Sequence, residues 1–194
     1  MRYLIVYLMF KGMVYMNKII NHIKTINRHK VEVFKCMRDC GKPIQGLLHD
    51  LSKYSPTEFC ESIKYWTGTR SPIELAKEDR GYSLAWFHHR GRNKHHSQYW
   101  CDISFGEVIP CEIPWKYLLE LICDGVGAGK VYNGENWTCK TPLEYYKNRD
   151  SKSFYHINTR KKLEFYYQYI AINGWENFAH RVKYEGDFYE STLN

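Results

Sequence analysis

The sequence predicts an all-α fold, a compact single-domain helical bundle. Three observations support this prediction: apolar residues recur at helical spacing, three segments share one proline-containing helix start, and no run alternates apolar and polar residues over six positions. With 194 residues, 44% of them apolar, the chain is long enough to bury a core. We expect one domain over residues 17–194, with its core at about 19–130 and C-terminal helices over 142–182.

Residues 1–16 are interpreted as an N-terminal extension or leader. The stretch MRYLIVYLMF is apolar after Arg2, but Lys11 ends a run too short to span a bilayer, and no small-residue cleavage site follows. Three interpretations stay open: an additional strand or helix packed on the domain, a membrane-surface segment, or an extension upstream of the true start. Seven cysteines without a CxxC pair indicate reduced thiols and argue against a cysteine zinc site. We therefore favour a cytoplasmic protein with no membrane partner.

Helices are predicted along most of the chain. Apolar positions at helical spacing predict a first helix over residues 19–37, which ends before Gly41. A short second helix follows, with apolar residues at Ile44, Leu47, Leu48 and Leu51. Two later helices are predicted over residues 115–124 and 159–172.

Three further helix starts repeat one pattern. A hydroxyl residue stands at the N-cap, proline follows at the first helical position, and a glutamate can return a hydrogen bond to the cap. The segments are Ser55-Pro56-Thr57-Glu58, Ser71-Pro72-Ile73-Glu74 and Thr141-Pro142-Leu143-Glu144. The pattern predicts three helices and carries no information on chemistry.

An adjacent His49-Asp50 pair lies within or at the end of the short apolar helix. A buried carboxylate beside an imidazole is costly unless a positive charge compensates it, and a divalent cation can be shared by both groups. Lys53 follows at helical spacing and can reach the same face. The alternative is a helix end where the macrodipole favours His49 and Lys53, with Asp50 solvated.

Four of the nine histidines fall within residues 88–96. They form two pairs seven residues apart, His88-His89 and His95-His96. On a continuous helix the pairs would share one face, whereas Gly91 and Asn93 indicate a turn that folds one pair toward the other. Converging imidazoles are typical of a metal site, and the arginines and lysine between the pairs would also suit a phosphate. The alternative is a flexible basic loop.

Two other positions are candidate ligands. His29 and its rival His22 lie on one apolar stripe of the first helix, where a lone histidine is more often a core residue. Asp124 closes the apolar segment 115–123, as punctuation of a helix end or as a buried ligand. The glycine-rich stretch 125–130 lacks the spacing of a phosphate loop, and the net charge of +7 is spread among acidic residues, so a nucleic-acid partner is disfavoured.

The order of these residues resembles the HD-domain superfamily of helical metal-dependent phosphohydrolases. Its members show His, then His-Asp, then a distant Asp on separate helices, and the stretch His49 to Lys53 is similar to their His-Asp-x-x-Lys signature. A closer resemblance is to a bacterial and phage family of unknown function with His-Asp-x-Ser-Lys-Tyr and His-His-x-x-x-Asn-x-His-His, which stand here as His49 to Tyr54 and His88 to His96. The resemblance covers residues 19–130. His29 precedes His49 by only 20 residues, a shorter interval than is usual in the superfamily, which leaves His22 as a substitute.

The resemblance implies an HD-domain-like fold with one or two divalent metal ions (Mn, Fe, Co, Ni, Zn or Mg). The implied metal ligands are His29, His49, Asp50 and Asp124 for one ion, and His89, His95 and His96 for a second that Asp50 bridges. Lys53 and Asp50 would be catalytic, with the lysine neutralising a phosphoryl oxygen. We therefore expect a metal-dependent phosphohydrolase with a small phosphoester substrate, such as a nucleotide, compatible with a homo-oligomer. The alternatives are a di-iron oxygenase of the same superfamily and a non-catalytic metal- or nucleotide-binding module.

Overall fold

The computed structural model describes residues 2–148 and 155–193, which form ten α-helices, three short 3-10 helices and one two-stranded hairpin. The helices are α1 Arg2–Asp39, α2 Pro43–Leu48, α3 Pro56–Tyr65, α4 Pro72–Arg80, α5 Leu84–Arg92, α6 Trp115–Asn133, α7 Thr141–Asn148, α8 Ile157–Asn173, α9 Trp175–Glu185 and α10 Tyr189–Leu193. The 3-10 helices span Leu51–Tyr54, Ser97–Trp100 and Gly134–Asn136. The prediction of an all-α fold is confirmed. No helix in these two described ranges is both long and apolar enough for a membrane crossing.

Helix α1 extends far beyond the predicted range of 19–37. Its 38 residues include the described part of the predicted leader, which is therefore helix and not strand. The helix is followed by a left-handed residue, Gly41, with φ of 75°, and Pro43 then starts α2. Glycine accepts this backbone without strain, so the chain can turn sharply between the two helices.

The chain divides into two compact units. The first comprises residues 1–28 and 51–89, which include α3, α4 and the first part of α1. Among its described side chains, Ile26, Ile63, Ala76 and Ala85 are the buried apolar ones. The second comprises residues 29–50 and 90–194, and its larger core is built from the end of α1 and from α6, α8 and α9.

Helix α6 continues through a glycine-rich stretch beyond its predicted end at Asp124. A Cβ atom added to Gly127 would lie 2.7 Å from Cγ2 of Val33 on α1, a distance that real Cβ atoms do not show. The bare backbone of Gly127 therefore lets α6 approach α1 closely, and this packing outweighs the low helix propensity of glycine. Asp124 lies inside the helix, so its interpretation as helix-end punctuation is wrong. The glycine-rich stretch is helical, in agreement with its rejection as a phosphate loop.

A short hairpin was not predicted. Strands β1, Cys101–Ser104, and β2, Glu107–Pro110, pair antiparallel with Cys101 opposite Pro110. Phe105 and Gly106 both have positive φ, 53° and 80°, as a tight two-residue hairpin turn requires. Each strand has four residues, too few for alternation over six positions, so the sequence carries no periodic signal for this hairpin.

The proline-containing helix starts are largely as predicted. Ser55 caps α3, because its hydroxyl accepts the backbone N–H of Glu58 at 3.4 Å. Ser71 stands at the N-cap of α4 without a side-chain hydrogen bond, and Thr141 is the first residue of α7 instead of its cap. The predicted return bond from Glu58 is absent: the N–H of Ser55 donates instead to the carbonyl of Ser52 at 2.9 Å.

Candidate metal centre

Helices α1 and α6 bring two of the predicted ligands together. His29 Nε2 lies 3.0 Å from Asp124 Oδ1. Val33 follows His29 by one helical turn, and Gly127 follows Asp124 by three residues. The close helix contact at Val33 and Gly127 therefore sits directly beside the pair and sets its separation.

The end of α2 positions His49 and Asp50. Gly46 packs on α1, where a Cβ would lie 2.7 Å from Cβ of Met37. The Nζ of Lys30 donates to the carbonyl oxygens of Leu47 and His49 at 2.7 and 2.8 Å, which satisfies backbone groups that the helix end leaves unpaired. The predicted location of His49-Asp50 at a helix end is therefore what the structure has.

Asp50 has a backbone conformation that is uncommon for its residue type. Its φ is 52°, in the left-handed region, which aspartate and asparagine tolerate better than most side chains. The side chain is 3% exposed. A strained, buried carboxylate is a frequent feature of functional sites. The apolar turn before it is solvent-facing, however: Ile44, Leu47 and Leu48 are all more than half exposed.

Two carboxylates are each shared between the His29/His49 pair and His95. Asp50 Oδ2 lies 3.3 Å from His49 Nε2 and 3.8 Å from His29 Nε2, whereas its Oδ1 lies 3.5 Å from His95 Nε2. Asp124 repeats the arrangement, with Oδ1 at 3.6 Å from His49 Nε2 and Oδ2 at 3.8 Å from His95 Nε2. Each carboxylate thus presents one oxygen to the His29/His49 pair and the other to His95. The ring of His96 lies 4.1 Å from that of His95, centroid to centroid.

Glu120 contacts the Nδ1 atoms of two of these rings, and the sequence did not identify it as part of the site. Its Oε1 lies 2.9 Å from His49 Nδ1 and 3.2 Å from His95 Nδ1, and its Oε2 accepts a hydrogen bond of 2.6 Å from Gln45. Glu120 precedes Asp124 by one turn of α6, and this i, i+4 spacing is the signal that could have found it. A carboxylate at Nδ1 leaves Nε2 of each ring directed at Asp50 and Asp124.

The electrostatics of the cluster favour a cation. Burial by itself lowers the pKa of His49, but Asp50, Asp124 and Glu120 outweigh it and hold that pKa well above its ordinary range. Burial raises the pKa of Asp124, whereas the close imidazoles of His29 and His49 and their charge bring it well below the usual value. Glu120 behaves in the same way, with a pKa lowered to about 2 against the effect of burial. Three carboxylates in a buried site thus need positive charge, which protonated imidazoles or a metal ion can supply.

The donor set fits a metal ion. One ligand atom each from His29, His49, Asp50 and Asp124 lies within 4.8 Å of the others, and the same holds for His49, His95 and Glu120. Nε2 of His49 is buried and forms no hydrogen bond within the described ranges, although carboxylate oxygens surround it. Imidazole nitrogen with carboxylate oxygen is a set that transition-metal ions accept.

The other histidine pair, in the first unit, is held by a glutamate. His88 Nδ1 and His89 Nδ1 lie 2.7 and 2.8 Å from the two carboxylate oxygens of Glu58, and Ser52 Oγ lies 3.3 Å from His89 Nδ1. Burial raises the pKa of Glu58, but hydrogen bonds from His89 and His88 lower it overall. Glu58 therefore orients both rings through Nδ1. The sequence did not predict this role, because Glu58 fits the helix-start pattern of Ser55 to Glu58 equally well. A metal role for His89 stays a prediction.

His22, the rival of His29, lies in an apolar environment of the first unit. Its ring packs on Phe59 and Trp66, with centroids 5.5 and 6.4 Å away, and neither ring nitrogen forms a hydrogen bond in the part of the chain that the structure describes. Burial, then the charges of Lys53 and Lys18, lowers its pKa to about 4. Of the two rivals, His29 is the one that faces carboxylates. Lys53 belongs to the 3-10 helix Leu51–Tyr54, and its catalytic role stays a prediction.

Comparison with known proteins places the chain in a family but assigns no activity. Neither curated proteins nor solved structures gave a match. The model of a family of unknown function, DUF5662, matches residues 18–168, more than half of the 194 residues, and this range includes His22, His29, Asp50 and Asp124. The chain therefore belongs to the family of unknown function DUF5662.

Proposed function

We propose that the protein is a metal-dependent phosphohydrolase that acts on a nucleotide or another small phosphoester. The observation that carries this proposal is the sharing of two carboxylates, Asp50 and Asp124, between the His29/His49 pair on one side and His95 on the other. Carboxylates whose two oxygens face different imidazoles are suited to bridge two cations. The resemblance to HD-domain phosphohydrolases adds the expected reaction class.

Ligand assignments follow from the distances. His29 and His49, with Oδ2 of Asp50 and Oδ1 of Asp124, would hold one ion, and His95 with the opposite carboxylate oxygens would contribute to a second. The proposed additional ligands of the second ion, His89 and His96, come from the resemblance. A divalent ion in such a centre polarises a phosphoryl oxygen and lowers the pKa of a bound water. Because three of the donors are imidazoles, we expect Fe, Zn, Ni, Co or Mn in preference to Mg.

The chain itself supplies rigidity to the centre. Glu120 accepts a hydrogen bond from Nδ1 of His49 and lies 3.2 Å from Nδ1 of His95, an arrangement that favours the tautomer whose Nε2 lone pair faces the carboxylates. Lys30 holds the backbone on which His49 stands. Ligand side chains fixed in this way need little rearrangement when the ion or the substrate binds.

Metal stoichiometry and phosphate release test the proposal together. The purified chain, loaded separately with Mn, Co, Ni, Zn, Fe(II) or Mg, is analysed for bound metal by mass spectrometry and for phosphate release from nucleotides and p-nitrophenyl phosphate. We expect His95→Ala to reduce the bound metal from two ions to one and to lose most of the activity, whereas His180→Ala, which removes an exposed imidazole on α9, should change neither. Unchanged stoichiometry in His95→Ala contradicts a second ion at this position.

The same samples separate hydrolysis from oxygen chemistry. An imidazole-rich donor set also suits iron, so the di-iron oxygenase stays the alternative proposal. Oxygen consumption by the iron-loaded chain, without phosphate release under any metal, would overturn the phosphohydrolase. Phosphate release that persists with redox-inactive Zn or Mg would exclude the oxygenase.

A further inference from the structure

A cleft of about 550 Å³ opens in the second unit beside the metal centre. Three chain segments line it: residues 41–48 at the start of α2, residues 92–94 after α5, and residues 116–120 on the first turns of α6. Its volume lies within the range of small-molecule sites. The cleft contains none of the proposed metal ligands, so its chemistry is a separate question.

Positive charge dominates the lining of the cleft. The lining side chains include Lys42, Arg92, Lys94 and Lys116, and the single carboxylate among the lining residues is Glu120. Glu120 does not neutralise them, because it is occupied by His49, His95 and Gln45. Clustered cations in a concave surface focus a positive potential that attracts anions.

Two of these lysines make cation–π contacts with the same aromatic ring. Lys94 Nζ and Lys116 Nζ lie 5.6 and 5.5 Å from the centre of the Tyr117 ring. Within residues 2–148 and 155–193, neither these two ammonium groups nor that of Lys42 lies within 4.0 Å of a carboxylate oxygen. Two like charges held at one ring repel each other, and an anion between them would relieve the repulsion.

Two side chains in the wall of the cleft connect it to the candidate metal centre. Gln45 lines the cleft and donates to Oε2 of Glu120, while Oε1 of the same carboxylate contacts His49 and His95. Glu120 therefore forms part of the wall between the cleft and the Nδ1 edges of His49 and His95, and a molecule in the cleft lies on the side of these rings away from Asp50 and Asp124.

Part of the wall of the cleft is apolar. Ile44 and Leu48 line it and are 74% and 59% exposed. Exposed aliphatic side chains next to a cationic cluster suit a ligand that combines an anionic part with an apolar or planar part. Inorganic phosphate alone would leave this wall uncovered.

We propose that the cleft binds an organic polyphosphate of nucleotide size, with a phosphate on Lys94 and Lys116 and its organic part against Ile44 and Leu48. The binding of this ligand does not depend on the proposed function, because the cleft lies outside the set of proposed metal ligands.

Calorimetric titration of the metal-free chain tests the cleft separately from the metal centre. We expect ADP to bind more tightly than AMP, and AMP more tightly than adenosine. Lys94→Ala/Lys116→Ala should weaken ADP binding at least about tenfold, since each lost charge-assisted contact contributes on this scale. The matched control Lys140→Ala/Lys161→Ala removes the same charge from exposed positions of the same unit and should stay within about twofold of the unmodified chain.

Two further comparisons make the outcome decisive. Ile44→Ser/Leu48→Ser should weaken ADP binding and leave binding of inorganic pyrophosphate unchanged. Equal losses in the lysine pair and its control, or ADP binding no tighter than that of adenosine, would overturn the proposal. Tighter binding of an eight-nucleotide single-stranded DNA than of ADP would replace the small-molecule ligand with a nucleic acid. Intact hydrolysis of p-nitrophenyl phosphate in a chain that fails to bind ADP would overturn this inference while leaving the proposed function standing.

Discussion

His22 and His49 are both buried in helical surroundings, yet their imidazoles are affected in opposite directions. His22 contacts Phe59 and Trp66, and burial with nearby lysine charge lowers its pKa to about 4. Burial opposes protonation of His49 as well, but the carboxylates of Asp50, Asp124 and Glu120 raise its pKa well above the ordinary range. The difference lies in the charge of the neighbours, not in the depth of burial.

This contrast shows what separates a candidate metal ligand from a core histidine. Both rings present nitrogen atoms without hydrogen bonds among the described residues. Only His49 directs such a nitrogen at anionic oxygens, at 3.3 and 3.6 Å, where a cation would be stabilised. A histidine near lysines would instead repel an ion. Four substitutions test this difference, from the largest expected effect to the smallest.

The largest effect is expected for Asp50→Asn. Asparagine has the same shape and tolerates the left-handed backbone at this position, so only the charge is lost. We expect hydrolysis to fall more than about 100-fold, beyond the roughly 10–100-fold that loss of an outer-shell partner costs. Bound metal is measured by mass spectrometry and helix content by circular dichroism. Asp102→Asn on the exposed face of β1 is the control, and full metal content in Asp50→Asn would remove this carboxylate from the centre.

Glu120→Gln should weaken metal binding without removing a proposed bridging ligand. A neutral amide at this position supports the Nδ1–H of His49 and His95 less strongly, so metal affinity should fall about 10–100-fold. Competition with a chromogenic chelator measures the change, and Glu135→Gln at an exposed position is the matched control. An affinity equal to that of the control would show that the carboxylates of Asp50 and Asp124 suffice to define the site.

Gly127→Ala tests whether close helix packing sets the distance between His29 and Asp124. The added methyl group would meet Val33 at 2.7 Å, and such overpacking typically lowers the free energy of unfolding by about 1–3 kcal/mol. Metal affinity should fall with it. Gly91→Ala is the control, because nothing lies within 4 Å of its added Cβ, and helix propensity alone should stabilise that variant by up to about 1 kcal/mol. Equal stabilisation of both variants would contradict the packing role of Gly127.

The smallest effect concerns the pH dependence caused by His22. Its folded-state pKa of about 4 lies below the ordinary value of 6.5, so the folded chain binds fewer protons than the unfolded chain between these values. The stability that the neutral ring permits is present above pH 6.5 and is lost as the pH falls toward 4. Between pH 6.5 and 5 the loss should be about 1–2 kcal/mol, at 1.36 kcal/mol per pKa unit.

Chemical denaturation of His22→Phe over this pH range measures that loss. The variant should show a shallower decrease in the free energy of unfolding on acidification than the unmodified chain. His180→Phe replaces an exposed ring on α9 and should leave the slope unchanged. A slope in His22→Phe equal to that of the unmodified chain would show that His22 is protonated in the folded state, and the contrast with His49 would then fail.

Much of the fold was predictable because its signals are local. Helical periodicity and the prolines at the starts of α3, α4 and α7 are read within a few residues of the chain, and the structure has helices at each. The hairpin of β1 and β2 was not predicted, because strands of four residues are too short to show a periodic pattern of apolar residues. The extension of α6 beyond Asp124 was not predicted because glycine has a low helix propensity. The close packing of Gly127 against Val33 of α1, which outweighs that propensity, is a property of the tertiary structure.

The site was predictable in its residue types but not in its supports. His29, His49, Asp50, His95 and Asp124 were selected from the sequence, and the structure brings their side chains together. Glu120 and Glu58 escaped because each contacts histidines far away in the sequence: Glu120 and His49 are 71 residues apart, and Glu58 and His89 are 31 apart. The i, i+4 spacing to Asp124 is the one local signal for Glu120, and no local pattern distinguishes Glu58 from a glutamate on a solvated helix face.

The sequence by itself determined where several of the helices start and which residue types could bind a cation, because propensity, capping and ligand chemistry are properties of short segments. Tertiary structure alone decided which of two histidines on one stripe faces carboxylates, since His22 and His29 have the same local pattern. It also decided that the leucines of α2 face solvent beside a cationic cleft instead of the core. The burial of a side chain and the charges around it depend on every element packed against it, so their combined effect is defined only in the folded chain.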